Sequence, residues 1–185
     1  YGRGTTNNGN GDAKGHPGLI DSIDSGMVID AGGTTASTGS SVWAVSFGPQ
    51  RVQWVYGENG SLAMSEVREE SIADANSNRF TAYIQEMLAY PGVQVGNKYA
   101  IGRIKKLTAD SGKGLTDARL GALLALFPAG FRPDAFFASR RSIEQLRASR
   151  TATNATGTEA PTPTEFEGVP IVSTDSILDT ESLSL

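Results

Sequence analysis

The chain has 185 residues, a net charge of −4, 38% hydrophobic residues, 22 glycines and no cysteine. That length suits one domain with a real core, and the modest apolar fraction with abundant glycine points to long loops around limited helix. The acidic balance argues against strong attraction to nucleic acid or an anionic membrane, and the lack of cysteine removes disulfides, zinc–thiolate sites, iron–sulfur clusters and cysteine nucleophiles.

No apolar run approaches the roughly 20 residues that a membrane helix needs, and no secretory signal is visible. The first residue is Tyr1 rather than methionine, which points to cleavage, truncation or a chosen boundary. Tyr1 to Gly18 reads YGRGTTNNGNGDAKGHPG, with almost nothing to bury, and is expected to be a loop or linker. Apolar residues return over Leu19 to Ala31 and end in the strand-like Met27-Val28-Ile29. Gly32 to Ser41 is polar again.

Ser41 to Tyr56 reads SVWAVSFGPQRVQWVY. Val42, Ala44 and Ser46 alternate with Trp43, Val45 and Phe47, Gly48 to Arg51 is turn chemistry, and Val52 to Tyr56 is a second strand. The expectation is a hairpin. Gly57 to Asn78 is polar and charged, with acids clustered over Glu66 to Glu70. Phe80 to Leu88 and Gln94 to Leu107 then predict two long strands joined by Tyr90-Pro91-Gly92, a hairpin that projects beyond its own core.

The period changes next. Thr116-Asp117 can cap a helix in which Leu120, Leu123, Leu124 and Phe127 make one buried face, stopped by Pro128-Ala129-Gly130. Phe136-Phe137-Ala138 reads as a short buried strand. Ser139 caps a second helix with Ile143 and Leu146 inward and Arg140, Arg141, Arg147 and Arg150 outward. Thr151 to Thr164 is a loop. The chain closes on EFEGVPIVSTDSIL (Glu165 to Leu178), where Val169, Ile171 and Val172 form a strand and Pro170 argues for an edge or a strand start. Strands followed by helix, strand, helix, strand give an α+β class, without internal repeats.

Chemistry finds little purchase. Asp110 to Thr116 (DSGKGLT) resembles a phosphate loop, but Leu107 stands where the first glycine belongs and Gly114 stands where a magnesium-binding Ser or Thr should follow the lysine. His16 is the single histidine and sits in the glycine-rich loop, which leaves no Ser-His-Asp triad and no metal site beyond carboxylates. Neither a cofactor nor a metal is implied. Acids cluster at Glu66, Glu69 and Glu70 and at Asp175, Asp179 and Glu181; a carboxylate pair in a small α+β hydrolase is the enzymatic alternative. The arginines of the second helix lack the interleaved aromatics of a nucleic-acid surface. Asn59-Gly60-Ser61 and Asn154-Ala155-Thr156 match the glycosylation triplet, without a secretory signal to support them.

Several segments, in order, resemble the major capsid protein of tailed bacteriophages with the Hong Kong 97-like fold. These are Tyr1-Gly2 with Pro17-Gly18-Leu19, Val28-Ile29-Asp30-Ala31-Gly32-Gly33, and Ser41 to Gly48 continuing through Val52 to Gly57. Gly92-Val93-Gln94-Val95 with Tyr99-Ala100-Ile101-Gly102-Arg103-Ile104 follows. Phe166-Glu167-Gly168-Val169-Pro170-Ile171 with Thr174 to Glu181 closes the series. The chain departs from the family pattern at Gly96-Asn97 and at Lys105-Lys106-Leu107. The resemblance covers only the later half of the longer family members, so it implies a subunit lacking its N-terminal arm, its extended loop and its spine helix.

The resemblance implies a peripheral domain built on a long β-hairpin and an axial domain with a mixed sheet and flanking helices. Residues 1–114 would hold the loop-rich segment and peripheral strands, 115–172 the axial domain, and 173–185 the return to the periphery through a turn carrying Asp175. It also implies a structural subunit, not an enzyme, that self-assembles as hexamers and pentamers into an icosahedral shell around double-stranded DNA. The shell would be built in the bacterial host cytoplasm, without sequence-specific DNA binding or a membrane, and would meet scaffold, portal or decoration proteins. A related shell such as an encapsulin-type compartment, or a phage decoration or tail component, is the neighbouring reading. Charged clusters without a pocket make Arg140, Arg141, Glu66, Glu69 and Asp175 candidates for contacts between copies.

Overall fold

The computed structural model describes Leu19 and residues 23–56, 63–88, 91–152 and 154–183; His16 and the glycine-rich loop around it lie outside these. It divides into two compact units, Tyr1–Val52 with Val95–Leu185, and Gln53–Gln94. In chain order the elements are β1 (Val28–Asp30), β2 (Ser40–Val45), β3 (Val52–Tyr56), β4 (Ala63–Met64), β5 (Arg68–Ala73), β6 (Arg79–Ile84), β7 (Met87–Leu88), β8 (Pro91–Val95), β9 (Ile101–Leu107), α1 (Asp117–Ala125), β10 (Ala135–Ala138), α2 (Arg140–Ala152), β11 (Glu165–Phe166) and β12 (Val169–Ser173).

The first unit is a six-stranded mixed sheet in the order β1-β9-β2-β10-β12-β11. β1 runs parallel to β9, and β12 runs parallel to β10. β2 is antiparallel to both of its neighbours, β9 and β10. Alternation along β2 sorts its side chains. Val42 and Ala44 point to one face with Ile104, Phe136, Ala138 and Val169, where they meet Leu120, Leu123 and Phe127 of the α1 region and Ile143 and Leu146 of α2. Trp43 and Val45 point to the other, with Val52, Ile101 and Ile177. Burying a side chain such as Phe136 or Leu146 contributes about 1.5–3 kcal/mol. Gly102 keeps the helix face open: a Cβ there would lie 2.8 Å from the Phe127 ring and 2.9 Å from a Leu123 methyl.

The helices form where the local signals put them. Thr116 caps α1 and accepts from the Arg119 N–H at 3.4 Å. The Ser139 hydroxyl accepts from the Ser142 N–H at 3.3 Å at the start of α2. Strand β9 contains a feature that alternation alone does not announce. Its register to β2 pairs Val42 with Ile104 but Ser40 with Leu107, so β9 holds one residue more than its partner. Lys106 takes up the excess at φ 57. The bulge turns Leu107 to the same face as Ile104, and both are fully buried against the helices.

Two sequence expectations are corrected. Ser41–Phe47 and Val52–Tyr56 do not form a hairpin: β2 lies between β9 and β10, and β3 pairs with β8. The Gly48–Arg51 turn is present, with Arg51 N–H bonded to Gly48 O, but Gly48 at φ 134 and Gln50 at φ 62 redirect the chain instead of folding it back in register. Likewise Phe80–Leu88 and Gln94–Leu107 are not the arms of one long hairpin. They break into β6, β7, β8 and β9, and β9 enters the central sheet between β1 and β2. Pro170 lies in the next-to-last strand, not an edge strand. It is the second residue of β12, one before the ladder to β10 begins at Ile171, which fits the strand-start reading and leaves no ladder bond for its missing N–H. One sheet thus spans residues on both sides of position 114.

The second unit, Gln53–Gln94, is an arm of nested strand pairs. β3 pairs with β8, β4 with β7 and β5 with β6. The pairs β4–β7 and β5–β6 are antiparallel. Asp74 closes the tip: its carboxylate accepts from Asn76 N–H at 2.8 Å and Asn78 N–H at 2.9 Å, and Ser77 adopts φ 64. No described residue of the arm is buried.

Candidate functional site

The five candidate contact residues fall into different settings. Arg140 opens α2 and Asp175 stands in the turn after β12. Their side chains are 82% and 89% exposed and lie 3.9 Å apart, a pair of little energetic weight in water. Arg141 is turned inward. It donates to Thr38 O and Asp179 O and lies 3.5 Å from the Asp179 carboxylate, so it ties the C-terminal segment to the loop before β2. Glu66 and Glu69 are exposed on the arm and have no ion-pair partner among the described residues. The structure therefore brings Arg140 and Asp175 together, commits Arg141 to its own chain, and leaves the two glutamates on the other unit.

The remaining arginines of α2 are not the outward basic face that the sequence suggests. Arg150 makes a two-pronged bond to the Asp117 carboxylate, 2.7 Å at the shortest, which locks the end of α2 to the start of α1. Arg147 donates to Ala160 O at 2.8 Å and pairs with Glu159 at 3.0 Å, holding the loop after α2.

Sequence reasoning missed the most buried ion pair among the described residues. Arg103 in β9 meets Glu181 at 3.3 Å, with side chains only 3% and 7% exposed, and its guanidinium lies 5.0 Å from the Trp43 ring centroid. The C-terminal segment is held there by Glu181 N–H donating to Gly39 O at 2.7 Å and by Ser139 donating to Asp179 at 2.6 Å. Ile177 packs beneath it. The available signal was an arginine inside the otherwise apolar Ala100-Ile101-Gly102-Arg103-Ile104, a pattern that demands an acidic partner on burial.

Asp110, in the loop that resembles a phosphate site, is itself an anion, bound by Thr108 and by the loop that follows β1. It accepts from Thr34 N–H at 2.9 Å, Thr35 N–H at 3.1 Å and the Thr108 hydroxyl at 2.9 Å, as well as from the Thr35 hydroxyl. The Thr35 hydroxyl first, then Thr34 N–H and the Thr108 hydroxyl, hold its carboxyl well below the usual carboxylate range. Arg119 donates to Gly112 O at 2.8 Å and to Gly114 O, and Gln145 spans Thr108 O and Leu115 N–H. These bonds occupy the loop with its own chain.

A concavity of about 260 Å³ lies on the sheet face away from the helices. Leu19, Trp43, Val45, Phe47, Ile101, Phe137 and Ile177 line it with Thr174 and Ser176, and among the described residues no carboxylate does. Among the described residues no group of His, Asp and Glu is arranged to hold a metal ion. The polar side chains serve to hold the chain's own segments in place.

The family described as Major capsid protein GP7 matches residues 21–184. The chain belongs to this family. It is a structural subunit of a bacteriophage capsid and not an enzyme, and nothing supports the hydrolase alternative. Membership in the GP7 family also implies self-assembly into capsid oligomers and a place in the virion. Among curated proteins no match is found. The α+β class with a mixed sheet and helices α1 and α2 is compatible with such a subunit.

Proposed function

We propose that this subunit adopts the Hong Kong 97-like arrangement and closes, as hexamers and pentamers, into an icosahedral shell around double-stranded DNA. The observation that carries the reading is the family match across residues 21–184, whose closing part contains the β11–β12 turn and the strap to Glu181. DNA would be enclosed without sequence-specific contacts, consistent with a net charge of −4. Assembly would take place in the bacterial host cytoplasm with scaffold, portal or decoration proteins as further partners. Negative-stain microscopy of the full-length product tests the proposal: closed, regular shells are expected, and a monodisperse monomer would refute it.

Arg140, Asp175, Glu66 and Glu69 remain our candidates for contacts between copies, because each is exposed and uncommitted or weakly paired. Arg140→Glu is the sharper probe. Reversing Arg141 would also remove its bonds to Thr38 and Asp179 and so confuse assembly with folding. Arg140→Glu should lower particle yield with the unfolding midpoint unchanged; normal yield would remove Arg140 from the set.

A further inference from the structure

The arm presents one strand edge that its own sequence leaves undefended. Register places Ile84, Ala82 and Phe80 opposite Arg68, Glu70 and Ile72 on one face of the β5–β6 ribbon. Tyr83, Thr81 and Arg79 lie opposite Glu69, Ser71 and Ala73 on the other. The first face is apolar except at its base, where Arg68 binds Glu86 at 2.6 Å and Glu70 at 3.4 Å. The strands themselves differ. β5 begins Arg68-Glu69-Glu70, whereas β6 carries one charge, Arg79, and then the run Phe80-Thr81-Ala82-Tyr83-Ile84. Charged side chains are what commonly keep an edge from pairing with another chain. Aromatic and β-branched residues without charge favour such pairing. The ribbon is two-stranded, so β6 has no neighbour on its outer side among the described residues.

We propose that β6 of one copy pairs edge to edge and antiparallel with β6 of a second copy, fusing two ribbons into a four-stranded sheet. The proposal rests on the capsid-subunit reading and names the contact through which the arm would serve it. Three arguments select a second copy as the occupant. Family membership implies that copies of this chain associate. The arm holds six acidic and two basic residues, and so accounts for the whole net charge of −4; a nucleic acid is repelled, and a second, equally acidic arm can approach only along a strand without acids, which β6 is and β5 is not. Antiparallel pairing of β6 with itself brings Arg79, at the start of one strand, toward the end of the other, where Glu86 stands, and does so twice about the two-fold axis. Pairing through β5 would instead bring Glu69 and Glu70 of two copies together. The fused sheet also meets a physical need. A two-stranded ribbon is marginal alone, and three or more strands with an apolar face are far better held. With Ala82 near the axis, the Ile72, Phe80 and Ile84 stripes of both copies lie side by side.

The cysteine-free sequence makes a clean test available. Thr81→Cys, Ala82→Cys and Tyr83→Cys, made one at a time, sample the positions where the strand can meet its symmetry mate; Ser71→Cys on β5 is the control. Particles assembled from the full-length product are oxidised and run on a non-reducing gel. Most of the chain migrating as a dimer in one of the three β6 variants, with Ser71→Cys monomeric, is the expected result. Normal particles without a linked dimer at any of the three, or linkage at Ser71→Cys alone, overturn the β6 pairing and leave the capsid reading standing. A parent chain that forms no particles overturns both.

Discussion

The two units of this chain use β-structure in opposite ways. In the central sheet β2 is wholly buried, and the residues of its two faces enter different apolar clusters. In the arm, Trp54, Tyr56, Met64, Phe80, Tyr83 and Met87 are each more than half exposed. The first unit is stabilised by its own packing. The second has cross-strand pairs and turn bonds, and none of its described residues is buried. A capsid subunit must fold before it assembles, and this division of labour lets the folding unit and the reaching unit be altered separately.

Substitutions in the two units should therefore separate stability from assembly. Phe136→Ala opens a cavity between sheet and helices and should cost about 3–5 kcal/mol, read as a large fall in the denaturation midpoint and loss of particles. Arg103→Ala strands Glu181 in the protein interior and should cost about 3 kcal/mol; Arg103→Met combined with Glu181→Leu should recover most of that in the same assay. Asp117→Ala unlocks α2 from α1 at a partly exposed site and should cost about 1 kcal/mol.

Glu69→Lys on the arm should leave the midpoint within about 0.5 kcal/mol of the parent, while particle yield changes. A large stability loss there would break the comparison. The smallest effect concerns Asp110. Its folded carboxyl titrates below the ordinary range, so its stabilisation is present above the unfolded value of about 4 and is lost as pH falls through the lower folded value. Asp110→Asn should speed hydrogen exchange at the Thr34 and Thr35 amides at neutral pH, and should flatten the acid dependence of that exchange.

Legibility followed the range of the interactions. α1, β10 and α2 were readable because a cap, a buried stripe and a stop signal all lie within a dozen residues. The partners of β2 were not readable, because alternation says that a strand has two faces and not which distant strand adjoins it. The Gly48–Arg51 turn signal was real, yet a turn defines a change of direction and not a pairing. β5 was not read as a strand, only as part of a polar and charged segment, since Arg68-Glu69-Glu70-Ser71 has no period of two, and that pattern is expected only where a strand buries one face. The Arg103–Glu181 pair joins residues far apart in the chain, so neither local sequence names its partner. Arg140, Asp175, Glu66 and Glu69 were identified as surface charges, and so they are. Arg141 was not separable from Arg140 because adjacent helical residues look alike until a neighbouring segment covers one of them.

The extra residue in β9 sets a phase for the strand. Everything before Lys106 counts odd and even one way, and Leu107 counts the other. Inserting one residue beside Lys106 would leave composition and local propensity almost untouched but would turn Leu107 away from the helices, whereas deleting Lys106 would restore plain alternation and keep Leu107 on the face of Ile104. A one-residue insertion at this position is thus a forbidden mutation in a lineage, whereas the exposed loop at 154–159 tolerates changes of length. Insertion tolerance along the gene, mapped by single-residue insertion scanning, should show a trough at this position.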